Sequence, residues 1–177
     1  QTSVSSRSPT GNHADVEGGG HFRIIGAIPA CRLARLMTRI DFHSNVPNKI
    51  AYACRLARKA RNADHRIVIL VQDRAQMAQL DEQLWTFSEL DFLPHVAIND
   101  ALAERTPIVL SADPALEAPH YDILINLSDA PPNHFARFER MFEVISADDG
   151  DKQAGRERYA YYKQRGYPLT HFVADNA

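Results

Sequence analysis

Between residues 38 and 173 the period of the apolar positions changes repeatedly, and each change marks an element. Residues 38–43 alternate Ile40 and Phe42 with polar neighbours, which predicts a first strand. Ser44-Asn45-Val46-Pro47 reads as a helix start with Pro47 in the first helical position. The helix it opens runs to about Arg61, with Ile50, Ala53, Cys54, Ala57 and Ala60 along one side. Side chains this small let a helix lie close to a sheet. Residues 67–71 form an unbroken aliphatic run, as expected of a central strand covered on both faces. Asp73-Arg74-Ala75-Gln76 is a capping box that opens a second helix. Its stripe is Met77, Leu80 and Leu84, with Ala78 and Trp85 alongside. Further strands are predicted at 108–110, 123–127 and 142–145, with a short helix around 134–140. A longer helix follows at 149–165, stopped by Gly166, and then a short final strand at 171–173. This alternation predicts an α/β fold: a single layered domain with a mostly parallel or mixed sheet flanked by helices, Rossmann-like in outline.

The pattern begins only near Met37. Residues 1–20 contain four serines and four glycines but just two aliphatic side chains, Val4 and Val16, too few to offset the entropy of ordering. The run from Arg23 to Cys31 has the outline of a lipoprotein signal, but Pro29 is badly placed and a long polar stretch precedes it. The expectation is a disordered or non-native extension over residues 1–36 and one domain over residues 37–177.

The whole chain has 177 residues and a net charge of −2, and the part from Met37 onward carries about −4. That balance excludes a generally basic nucleic-acid coat, though not a local basic patch. No apolar run approaches the roughly 20 residues of a membrane-spanning helix. Two cysteines, Cys31 and Cys54, make no disulfide framework and read as reduced thiols of a cytoplasmic protein.

An α/β sheet invites a nucleotide, yet only Gly150, Gly155 and Gly166 follow Met37. The turn after the central strand, Gln72-Asp73-Arg74, offers no glycine for a pyrophosphate, and no P-loop motif occurs. The histidines are scattered without metal-ligand spacing, and Asp148-Asp149-Gly150-Asp151 reads as a helix start rather than a calcium loop. Ser128, Asp129 and His134 could form a triad only on paper, because no nucleophile elbow surrounds the serine. Cys54 sits on a core face and reads as a buried thiol. No cofactor, metal or catalytic group is expected.

The C-terminal helix is the positive signal. At 100° per residue Lys152, Arg156, Tyr159 and Lys163 share one narrow face, with Gly155 and Tyr162 on its flank and Arg158 on another side. No Leu, Ile, Val, Met or Phe occurs from Asp151 to Tyr167, so the helix is expected to bury little. Such a face suits an acidic peptide or a phosphate backbone, or it is simply a solvated surface with snorkelling stems. A second basic run, Lys49, Arg55, Arg58, Lys59, Arg61 and Arg66 against Asp64, keeps direct binding of single-stranded nucleic acid by the basic helices as an alternative.

Four stretches, in order, resemble the chi subunit family of bacterial DNA polymerase III, part of the clamp-loader assembly. They are Leu80-Asp81-Glu82-Gln83-Leu84-Trp85, Phe92-Leu93-Pro94-His95, Asp122-Ile123-Leu124-Ile125-Asn126-Leu127, and Lys152-Gln153-Ala154-Gly155-Arg156-Glu157-Arg158-Tyr159 with its continuation through Tyr162 to Gly166. The resemblance covers about Met37 to the C-terminus. It implies a non-catalytic adaptor in DNA replication that pairs with the psi subunit and binds the acidic C-terminal tail of single-stranded DNA-binding protein. It implies contact with DNA only indirectly, through the polymerase holoenzyme. The tail-binding positions it implies here are Lys152, Arg156 and Tyr159, with Ile145, Phe92 and Trp85 as apolar contributors. Ala160 stands where the family often has a basic residue, and Lys163 is one turn along to compensate.

Overall fold

The computed structural model describes residues 37–87, 92–115 and 117–174. The expectations for residues 1–36, including Cys31, lie outside them. Seven strands form one sheet: β1 (Arg39–Val46), β2 (Ile67–Leu70), β3 (His95–Ala97), β4 (Ile108–Ser111), β5 (Ile123–Asn126), β6 (Arg140–Ser146) and β7 (Leu169–Val173). Their order is β3-β4-β2-β5-β6-β1-β7, and every pairing is parallel. The helices are α1 (Lys49–Asn62), α2 (Arg74–Thr86) and α3 (Asp149–Gln164). This is the expected α/β layered fold.

Strand alternation divides the core in two. Ile67, Ile69, Ile108, Leu110, Ile123 and Ile125 point to one face, where Ala53, Cys54 and Ala57 of α1 and Leu80 and Leu84 of α2 cover them. Val68, Leu70, Val109, Leu124 and Met141 point to the other face, with Tyr162 of α3 and Phe135 of a 3-10 turn. Central strands buried on both faces are the reason for the unbroken aliphatic runs.

Several boundaries differ from the sequence reading. Pro47 precedes α1 rather than opening it. Val46 is fully buried as the last residue of β1, so the helix starts after Asn48, whose side chain accepts a 3.0 Å hydrogen bond from Ala51 N. Asp73 caps α2 by accepting from Gln76 N at 2.8 Å, but Gln76 Oε1 reaches back to Gln72 N, one residue before the cap. The helix expected at 134–140 is the short 3-10 turn Phe135–Arg137, and Arg140 already belongs to β6. β3 is an additional strand, held on the sheet edge by pairing with β4.

The largest departure lies in α3, which buries more than its composition suggests. Arg158, set by the sequence reading on another side of a helix expected to bury little, is only 1% exposed. Its Nε donates at 2.9 Å to Glu143 Oε2 on β6, and its Nη1 donates to Asp129 O. Glu143, itself fully buried, also accepts from Tyr162 Oη at 2.7 Å and from Asn126 Nδ2 at 3.0 Å. A charge can occupy the core here because it is paired and hydrogen-bonded on several sides. This cluster fixes α3 against β5 and β6.

Candidate partner-binding cleft

The N-terminal half of α3 and the outer strands enclose a cleft of about 360 Å³ lined by Phe42, Ser44, Asn45, Ile145, Lys152, Gly155, Arg156, Tyr159 and His171. Its depth follows from Gly155. A Cβ built there would stand 2.5 Å from Ile145 Cδ1, so only glycine lets the helix approach β6 this closely. Asp148 caps the helix with bonds to Gly150 N and Asp151 N. Asp151 Oδ2 accepts from Ser146 N at 2.7 Å and meets Lys49 Nζ at 3.0 Å, which ties the start of α3 to α1 and β6. Burial alone would raise the Asp151 pKa; these hydrogen bonds and the ammonium hold it below the usual carboxylate range instead.

The apolar wall is Ile145, Phe42 and the Tyr159 ring, which meets Phe42 edge-on with centroids 5.1 Å apart. The polar side carries two cations. Among the described residues Lys152 has only the exposed Asp149 at 3.7 Å, a surface pair of little energetic weight. Arg156 is exposed, with a 3.4 Å contact to Gln153 Oε1 and no carboxylate partner among the described residues. Opposite them, Ser44 Oγ and His171 Nε2 lie 2.7 Å apart. Asn45, at φ 60, turns the chain where the β1–β6 register shifts between His43 and Val46, and this break opens the floor of the cleft. An apolar slot beside an unpaired guanidinium and an ammonium is chemically suited to an anionic peptide terminus carrying a ring.

Four of the six residues singled out from the sequence, Lys152, Arg156, Tyr159 and Ile145, therefore come together. Trp85 and Phe92 do not join them. Trp85 closes α2 and Phe92 leads into β3, at the opposite edge and on the opposite face of the sheet. They form a separate pair, centroids 5.4 Å apart and 56% and 68% exposed, with Trp85 also over His95. Lys163 does not line the cleft; its Nζ stands 5.9 Å from the Tyr159 ring centroid. Phe42, Ser44, Asn45 and His171 were missed by the sequence reading. Phe42 and His171 are direct register partners across β1 and β7, and only that parallel pairing brings them together.

The groups considered for chemistry have structural surroundings. Ser128 Oγ lies 2.7 Å from Asn126 Oδ1 and 3.1 Å from Ala130 O, within its own turn. Cys54 is buried, which pushes its thiol up to about 12. Among the described residues no group of three or more His, Cys, Asp or Glu side chains is placed to hold a metal, and no helix is long and apolar enough to cross a membrane.

A family model described as DNA polymerase III chi subunit, HolC, matches residues 37–170. The chain is 35% identical to the DNA polymerase III subunit chi of Pseudomonas aeruginosa over 140 residues, which is 75% of this chain and 94% of that protein. It is 30% identical over 118 residues to the subunit of that name from Haemophilus influenzae, covering 67% of this chain and 82% of the relative. The same subunit of Escherichia coli is 27% identical over 117 residues, 66% of this chain and 80% of that one.

Proposed function

The chain belongs to the DNA polymerase III chi subunit family, and from that premise we propose that it is a non-catalytic replication adaptor whose α3 cleft takes the acidic C-terminal tail of single-stranded DNA-binding protein. The observation that carries this reading is the meeting of Lys152, Arg156 and Tyr159 with Ile145 around one slot. Arg156 supplies a planar fork for a terminal carboxylate, Lys152 a point charge for the acids before it, and Ile145 with Tyr159 a wall for a terminal ring. The psi subunit is the proposed second partner. The exposed Trp85–Phe92 pair, remote from the cleft, supports a separate surface for it. The adaptor thus holds its two partners at opposite edges of one sheet.

The test is fluorescence anisotropy with a labelled peptide that has several acids and a C-terminal aromatic. Arg156→Ala weakens binding by roughly ten-fold or more, since charge-assisted hydrogen bonds are typically worth about 1.5–3 kcal/mol. Lys152→Ala costs less and depends more on salt. Arg61→Ala and Trp85→Ala, both away from the cleft, leave the affinity unchanged. Equal losses in Arg156→Ala and Arg61→Ala would reject the cleft as the tail site.

A further inference from the structure

We infer that a second groove, on the face opposite the cleft, binds single-stranded nucleic acid. The groove encloses about 310 Å³ between α1 and the β7 edge, where α1 leaves the outer strands uncovered. Its walls include His43, Tyr52, Lys59, Arg140, Phe142 and Phe172. Neighbouring residues on β7 serve the two sites: His171 lines the cleft and Phe172 lines the groove, because strand side chains alternate between faces.

Phe172 and Tyr52 present rings to the groove, with cations at its border, while the rings of His43 and Phe142 are buried behind them. His43 stacks on Phe172 with centroids 5.2 Å apart and planes 19° apart, and Tyr52 and Phe142 each stand 5.5 Å from His43. Phe172 is 43% exposed, so its outer face is open to a stacking partner. The Arg55 guanidinium lies 5.2 Å from the centre of the Tyr52 ring, and that of Arg140 lies 4.9 Å from that of Phe142. Arg140 is balanced by the buried Asp41. Arg55 and Lys59, one turn apart on α1, have no carboxylate partner among the described residues.

No carboxylate lines the groove. His43, stacked on Phe172, keeps a buried ring nitrogen without a partner among the described residues. The residue is 9% exposed, its Nδ1 lies 2.8 Å from Tyr52 Oη, and its Nε2 has no partner. Aromatic faces that accept any base, flanked by unpaired cations for phosphate, are the recurring means of holding a single strand. A duplex hides its base faces and cannot use the rings.

The experiment titrates fluorescein-labelled oligothymidylate about 16 nucleotides long, at the upper end of single-strand site sizes, with the full chain at low salt. Binding is expected, with Phe172→Ala weakening it at least about five-fold. Lys59→Ala should reduce the slope of log affinity against log salt by about 0.7. Melting curves confirm that both variants, altered at the surface, remain folded. Arg156→Ala should leave the oligonucleotide unaffected, and Phe172→Ala should leave the acidic peptide unaffected, so the two sites fail or stand separately. Absence of oligothymidylate binding, or variants at Phe172 and Lys59 that bind like the parent, overturns the inference. So does a loss with Arg156→Ala equal to that with Phe172→Ala, or a duplex that binds as tightly as the single strand.

Discussion

Gly155→Ala adds one methyl group at the closest approach of α3 to the sheet. The new Cβ would stand 2.5 Å from Ile145 Cδ1, 3.0 Å from Cγ1 and 3.3 Å from Cγ2. Carbon atoms settle at about 3.5–4.0 Å, so the helix or the isoleucine must give by about 1 Å. Overpacking of this kind costs about 1–3 kcal/mol, while alanine gains about 1 kcal/mol of helix propensity over glycine. The net expectation is a loss of up to about 2 kcal/mol. The sign should reverse once Ile145 is truncated. Ile145→Ala removes all three opposing atoms, and in that background Gly155→Ala should stabilise by about 1 kcal/mol. Urea unfolding of the four chains gives the coupling directly. The parent Gly155→Ala should also bind the acidic peptide more weakly, because the methyl enters the cleft. If Gly155→Ala stabilises both backgrounds equally, α3 does not rest on Ile145 and the geometry of the cleft is wrong.

Glu143→Gln leaves the Arg158 guanidinium buried without its counter-charge and should cost about 3–5 kcal/mol in urea unfolding, whereas Glu143→Leu combined with Arg158→Met should recover only part of it, because the buried Tyr162 hydroxyl and Asn126 amide lose their shared acceptor; a single-variant loss under about 1 kcal/mol would deny the pair its role. His120 is buried with both ring nitrogens unpartnered, and burial, with the nearby Arg66 opposed by Asp122, pushes its pKa down to about 4. Below about pH 6.5 the unfolded chain therefore takes up a proton that the native state refuses, so stability is fully present above that pH and is lost as the pH falls toward about 4. His120→Phe should flatten this part of the melting-temperature profile, and an unchanged profile would contradict the assignment. We propose that the domain starts at Met37, where the family match also begins; a chain beginning there should melt within a degree or two of the full one, and a larger fall would show that residues 1–36 contribute to the fold.

The central strands were legible because burial on both faces demands unbroken β-branched and aliphatic runs, as in residues 67–71 and 108–110. β3 was not, since its three residues begin with the polar His95 and depend on β4 for pairing. The cationic face of α3 was legible from helical spacing, but the inward turn of Arg158 was not: its partner Glu143 lies on another element, and charge alone gives no hint of burial. Trp85 and Phe92 illustrate the same limit. The family resemblance, not their spacing, assigned them to the tail site, yet only the strand order shows that three strands, β4, β2 and β5, separate β3 from β6. The floor of the cleft was hidden because Phe42 and His171 become neighbours only through parallel pairing of β1 with β7.

The proposed site of the acidic tail is the cleft beside α3. Titrating the isotope-labelled protein with the acidic, aromatic-ended peptide and following amide and indole resonances tests it most directly. Shifts should saturate together at Ser44, Gly155, Arg156, Tyr159 and His171, with the indole N–H of Trp85, the sole tryptophan, left in place. Shifts centred on Trp85, Phe92 and His95, with the α3 resonances unmoved, would contradict it.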